Sequence, residues 1–337
     1  MSNINFKHAI MHILDTNHDN VIISVKELNY DSDTMDFLDK HMQRVINDGG
    51  LKKAYFKPGD NELIGLFQKL NSNADSFAEL SEQLAARVFK TMQENPCIPA
   101  GDIVFAIYTI EDVSYFALIK FNYKHSYIHY VVNTDEGSVN TIVKQRTTLP
   151  GDTQRVEECV IVNLANCELE ILEKPFEICG EKEYYLSKYI FKCDTSLSNA
   201  EKLKILDKAV AKISKKHQED NFDKVSKLRS CVSESLSESN RINVDNVAEM
   251  VFHENTHIKE EYIQEIRKAG LIEPVIEIPP TEKTGKKFQS QRLKTDSGIE
   301  INVPSHMYQN KDLLEFINNP DGTISILIKN VGKIFNK

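Results

Sequence analysis

Apolar and polar positions alternate with period two from Ile4 to Leu14. Ile4, Phe6, His8, Ile10, His12 and Leu14 fall on one side and Asn5, Lys7, Ala9, Met11 and Ile13 on the other, which predicts a strand. The period then lengthens. Met35, Leu38, Met42 and Val45 lie three and four apart and stop at Gly49-Gly50. Phe77, Leu80, Leu84, Val88 and Met92 repeat the spacing up to Pro96 and Pro99. Both stretches predict amphipathic helices, with a shorter helix around Leu63 to Leu70. From Ile103 the alternation returns, rich in Val, Ile, Phe and Tyr. Ile103–Ile110, Ser114–Tyr123 and Ser126–Val132 predict an antiparallel meander, and Val156–Leu164 a further strand after the Pro150-Gly151-Asp152 turn. Helices inserted before an antiparallel sheet make residues 1–193 an α+β domain.

The pattern changes near Cys193. Residues 194–199 are polar and predict a linker, and Ser198-x-x-Glu201 is a capping box opening a long helix with Leu203, Leu206, Val210 and Ile213 on its apolar face. Further helical stripes carry Phe222, Val225, Leu228 and Val232, then Val244, Val247 and Val251, then Tyr262, Ile263 and Ile266. These predict a small bundle. After Pro279-Pro280 the chain alternates again. Lys287–Thr295 and Gly298–Val303 flank Asp296-Ser297, and Leu313–Ile317 and Thr323–Lys329 flank Asn319-Pro320-Asp321-Gly322, predicting two β-hairpins. The second domain, 200–337, is thus a helical bundle followed by hairpins, and the whole chain is α+β.

A length of 337 residues fits two domains of ordinary size. No apolar run approaches the roughly 20 residues a membrane helix needs, and the first residues lack the pattern of a signal peptide, so a cytoplasmic protein with no membrane partner is expected. The six cysteines (Cys97, Cys159, Cys167, Cys179, Cys193, Cys231) are widely spaced with no C-x-x-C, which predicts free thiols and no structural zinc.

Charge narrows the partners. A net charge of −9 excludes a protein that coats DNA by overall charge, but not one with a local basic surface. Two regions qualify. Between Pro279 and Thr295, Lys283, Lys286, Lys287, Arg292 and Lys294 face Glu282 alone. Between Ala200 and Ser230, nine Lys and Arg oppose five Asp and Glu, with Lys204, Lys208, Lys212 and Lys215 along one helix face. Alternation along 287–295 puts Phe288, Ser290, Arg292 and Lys294 on one side.

One string carries catalytic chemistry on paper. His253-Glu254-Asn255-Thr256-His257 is H-E-x-x-H, which on one helix would set two imidazoles a turn apart for zinc with Glu254 as general base. Asn255 and Thr256 favour a helix start instead, with Thr256 as the cap. His253 and His257 are therefore expected on different elements, with no metal between them. There is no phosphate loop and no G-x-S-x-G. The acidic pairs Glu168-x-Glu170 and Glu181-x-Glu183 read as solvated faces.

Four segments resemble a known family: Phe6-Lys7-His8-Ala9-Ile10-Met11-His12-Ile13-Leu14-Asp15, Tyr115-Phe116-Ala117-Leu118-Ile119-Lys120, Ser297-Gly298-Ile299-Glu300-Ile301 and Asn319-Pro320-Asp321-Gly322-Thr323-Ile324-Ser325-Ile326. They are similar to the 37-kilodalton nucleoid-associated bacterial proteins, nearly end to end in element order. The resemblance implies a cytoplasmic protein found with the nucleoid; it supplies no catalytic residues and no cofactor. The expected function is non-enzymatic: DNA binding with little sequence specificity, or an adaptor whose acidic N-terminal domain docks on DNA-bound proteins. A metal-dependent hydrolase using His253, Glu254 and His257 is the alternative. The oligomeric state stays open.

Overall fold

A computed structural model describes residues 3–57, 59, 62–135, 137–253, 255–282, 284–308 and 310–334, apart from the side chains of Lys286 and Asn318. Residues 1–196 form one compact unit and 197–337 a second. The first contains β1 (Asn5–Leu14), α1 (Ser32–Ile46), β2 (Lys52–Phe56), α2 (Glu62–Ser72), α3 (Phe77–Glu94), β3 (Gly101–Ile110), β4 (Val113–Asn122), β5 (Lys124–Thr134), β6 (Gly137–Thr148), β7 (Glu158–Asn163), β8 (Leu169–Leu172), β9 (Phe176–Ile178), β10 (Glu181–Glu183) and β11 (Cys193–Thr195).

Seven strands make one antiparallel sheet in the order β1-β3-β4-β7-β8-β2-β11. Because side chains alternate across it, the sheet has two cores. Phe105, Phe116, Leu118, Val160 and Ile171 pack against α2 and α3 through Phe67, Phe77, Leu84 and Val88. Val104, Ala106, Ala117, Ile119 and Phe121 pack against α1 through Leu38, Met42 and Val45. The strict alternation predicted for β1 fails at one point. The register slips between Phe6 and His8, and this bulge moves Phe6 to the α1 side while Ile10 and Leu14 stay on the other. The free edge of β1 is covered by its own following loop. Ile22 bridges Ile13, Leu28 N–H donates to Ala9 O (2.8 Å), and Ala9 N–H donates to the Tyr30 hydroxyl (2.7 Å).

One other expectation is corrected. Ser126–Val132 is no part of the meander: β5 pairs with β6 in a separate two-stranded sheet. Residues 194–199 span the division between the two units, which falls after Ser196. Asp194 and Thr195 belong to β11, paired with β2, and Ser198 caps the next helix with its capping box formed. The acidic pairs also divide. Glu181 is exposed, whereas burial raises the pKa of Glu170, which lies near Lys53.

The second unit begins with α4 (Asn199–His217), α5 (Asn221–Ser239), β12 (Arg241–Asn243), α6 (Val244–Phe252), α7 (Thr256–Lys268) and β13 (Val275–Glu277). Leu206, Val210, Leu228, Val232, Val247, Val251, Tyr262 and Ile266 form its core, and β12 pairs with β13 at the bundle's end. Two hairpins follow: β14 (Ser290–Lys294) with β15 (Glu300–Pro304), and β16 (Leu314–Asn318) with β17 (Ile324–Ile328). Phe222 of α5 meets Phe316 edge-on (4.8 Å), and Tyr308 stacks on Phe316 (5.6 Å), fixing the second hairpin to the bundle.

Candidate nucleic-acid interface

Helix α5 carries a polar stripe where a bundle helix would ordinarily be apolar. The Ser226 hydroxyl donates to Phe222 O (2.7 Å) and lies 3.3 Å from Gln291 Oε1 of β14, and the Ser230 hydroxyl donates to Ser305 O (2.9 Å). Ser305 in turn donates to Phe288 O. These bonds seat the β14–β15 hairpin on α5 with Gln291 buried and Arg292 and Lys294 exposed. Lys287 is not in the strand: it lies on a short 3₁₀ turn, Thr284–Phe288, and Phe288 is buried in the bundle core rather than aligned with Arg292. Lys283, and the side chain of Lys286, lie outside the described residues.

The same docking brings in a cation that the sequence pattern did not single out. Arg229, between Ser226 and Ser230 on α5, lines an open cleft of about 580 Å³ with Lys287, Ser290, Arg292, Glu300 and Asn302. Its guanidinium lies over the Phe288 ring (5.8 Å), and its Nε has no hydrogen-bond partner among the described residues. Its charge is felt nearby. Burial raises Asp207 and pushes Tyr308 up to about 12, and Arg229 pulls both back. Its position three residues from Ser226 is a helical neighbour relation. That relation is visible in sequence, but it is informative only once the serines are known to hold the hairpin.

Glu300 tempers the site. It sits directly across from Lys294 (3.9 Å) and is ion-paired with Arg292. Both cations are well exposed, so these pairs hold weakly and exchange readily for another anion. Lys287 makes no ion pair with a described residue.

The second basic surface is more evenly spaced. Lys204, Lys208, Lys212 and Lys215 are all exposed on α4. Lys212 is engaged by Glu265 of α7 (2.6 Å), whereas Lys204, Lys208 and Lys215 pair with no described residue. Steps of four and seven residues keep these three within about 40° of one another around the helix, over roughly 16 Å.

The H-E-x-x-H string is divided between elements. His253 is the C-cap of α6 and His257 lies in the first turn of α7; Glu254 lies outside the described residues. Asn255, rather than Thr256, is the cap, its side chain accepting from the His257 and Ile258 N–H groups. His257 faces Glu261 (3.7 Å), which hydrogen bonds from His217 and Lys216 hold at about 2. Among the described residues no three His, Cys, Asp or Glu side chains converge as metal ligands. All six cysteines are free, and Cys97 and Cys179 are exposed.

The element order, the paired hairpins and the basic cleft between bundle and hairpin are now fixed in space. The family model of the nucleoid-associated protein YejK matches residues 10–335, nearly the whole chain. The chain belongs to that family. No curated protein matches it. Membership makes this a nucleoid-associated protein, and no described helix is long and apolar enough to cross a membrane.

Proposed function

We propose that the protein is a non-enzymatic component of the cytoplasmic nucleoid that contacts DNA phosphates without reading sequence. The observation that carries this reading is the convergence of Arg229, Lys287 and Arg292 on one open cleft, from two segments far apart in a chain of net charge −9. Lys294, Lys283 and Lys286 belong to the same segment in sequence. Asn302 is a carboxamide in the cleft, but no recognition helix presents it, and such cations position a protein on a duplex rather than select bases. The lysines of α4 (Lys204, Lys208, Lys215) are the second phosphate-facing surface. The acidic remainder of the chain limits affinity and favours the other member of the same class, an adaptor that meets DNA through proteins already bound to it.

Titrating duplex DNA across a salt series tests the reading. Each lost phosphate contact flattens log affinity against log salt by about 0.9, so Lys287→Ala/Arg292→Ala is expected to reduce the slope by about 1.8 equally on unrelated sequences. An unchanged slope, together with a loss in Lys204→Ala/Lys208→Ala/Lys215→Ala, moves the contact to α4. Absence of binding by the wild-type chain at physiological salt leaves the adaptor.

A further inference from the structure

The β5–β6 hairpin stands apart from both cores. Its strands pair from Lys124↔Thr148 to Thr134↔Gly137, and no third strand among the described residues joins them. At about 3.4 Å per residue the arm extends roughly 35 Å. A lone two-stranded hairpin is marginal in water, and this one is unusually apolar. Register places Ile128 and Val143, Tyr130 and Thr141, and Val132 and Val139 side by side on one face. The other face carries Tyr127, Val131 and Ile142 among His129, Lys144 and Asn140. Tyr127 is 69% exposed and Ile142 76%, and all eight large apolar side chains are exposed. Apolar surface on both faces of a projecting ribbon marks an interaction site.

Charge along the arm identifies the occupant. The strands hold Lys124, Lys144 and Arg146 and no acid, and all three cations lie at the root. The acid at the far end is Asp135, which follows β5 directly, with Glu136 next in sequence. One arm is therefore basic at the root and acidic at the tip. A second identical arm laid antiparallel on it sets each acidic tip against the other's basic root, which is the self-complementarity a two-fold axis requires. The axis would pass near the Tyr130–Thr141 pair, midway along. DNA matches the root but is repelled by the tip, and it offers nothing to the face of Ile128, Tyr130 and Val132.

We propose that the arm is a dimerisation element that clasps a second copy of this chain, apolar face to apolar face, in antiparallel register. The five large side chains of that face (Ile128, Tyr130, Val132, Val139 and Val143) remove about 450 Å² of surface per copy, or about 900 Å² for the pair, the size of a small interface that assembles and dissociates with concentration.

Sedimentation equilibrium of the full chain over a range of concentrations tests this. The wild type is expected to move from the chain mass towards twice that mass as concentration rises. Tyr130→Asp, which sets two carboxylates across the axis, is expected to weaken the dimer at least about 100-fold while leaving the circular dichroism of the seven-stranded sheet unchanged, since Tyr130 lies outside both cores. Lys124→Glu should weaken it at low salt, and adding Asp135→Lys should restore it. A wild type that is monomeric at every concentration overturns the proposal. So does a dimer unmoved by Tyr130→Asp, or a charge swap that fails to restore association.

Discussion

Lys120 is a test of how the first unit tolerates charge in its interior. It is one of the largest fully buried side chains, on the face of β4 that otherwise carries Phe116 and Leu118. Its ammonium donates to Pro99 O (2.8 Å), to Glu158 Oε2 of β7 (3.2 Å) and to Asn122 Oδ1, and both ionic side chains are fully buried. Burial lowers the Lys120 pKa, with Glu158 opposing. Such a pair adds little compared with an apolar substitute, because the desolvation of both ions offsets their attraction. Breaking it is different. Lys120→Met keeps the volume but leaves the Glu158 carboxylate with two neutral partners, the Asn122 amide (3.0 Å) and the buried Tyr185 hydroxyl. An uncompensated buried charge costs about 3–5 kcal/mol. At about 2–4 °C per kcal/mol for a unit of this size, the transition should fall by roughly 6–20 °C. The chain has no tryptophan, so near-ultraviolet circular dichroism of its tyrosines reports unfolding, and hydrogen exchange of the β4 and β7 amides assigns the loss to the first unit. Adding Glu158→Gln removes the orphaned charge and should recover at least half of the loss. A single variant within about 1 kcal/mol of wild type, or a double variant no better than the single, refutes the reasoning.

Two further outcomes follow from groups buried in the same unit. His12 accepts from Ser24 N–H at Nδ1 (3.1 Å), so Nε2 carries the proton and donates to Ser81 Oγ (2.9 Å); burial lowers its pKa from 6.5 to about 4. Below pH 6.5 the unfolded chain takes up a proton that the folded one refuses. His12 should therefore cost about 3 kcal/mol of stability on going from pH 7 to pH 4, and denaturant titrations in which His12→Gln loses stability over that range as steeply as wild type would contradict this. At Gly101, where β3 begins, an added Cβ would sit 2.3 Å from the Phe121 carbonyl oxygen of the paired strand. Gly101→Ala should cost about 1–3 kcal/mol, and a melting temperature equal to wild type would show that the strands separate there without strain.

The elements that sequence made legible share one property: their apolar stripe faces a single core. The α3 stripe from Phe77 to Met92 and the stripes of α4 and α6 are buried as spaced, because period and burial report the same surface there. What was hidden depended on long-range contact. Lys52–Phe56 pairs with β8 and β11, more than a hundred residues away, and is too short to announce itself. The β1 bulge leaves no mark in an alternating string, yet it moves Phe6 to the opposite core. Ser126–Val132 misled for a clearer reason: alternation establishes that a segment is extended, but not that a neighbouring strand will receive it.

The cleft shows the same limit from the side of function. Counting cations found the segment from Pro279 to Thr295, but a count weighs Lys294 and Lys287 equally, whereas Glu300 stands across from the first and not the second. Arg229 entered no motif because what matters about it is its helical neighbours, Ser226 and Ser230, and the hairpin they hold. Three cations opposed by one carboxylate on an acidic protein imply modest affinity per copy. A pair of copies changes that arithmetic without any new contact. Once one cleft is engaged, the second meets DNA at an effective concentration near the millimolar range, and avidity can exceed the single-site affinity by about 10²–10⁴ when geometry permits both. The arm and the cleft therefore make a joint demand: Tyr130→Asp, which touches no cation, should lower apparent affinity for long duplexes while leaving binding to a duplex too short for two clefts unchanged. Equal loss on both lengths would mean that the arm itself touches DNA.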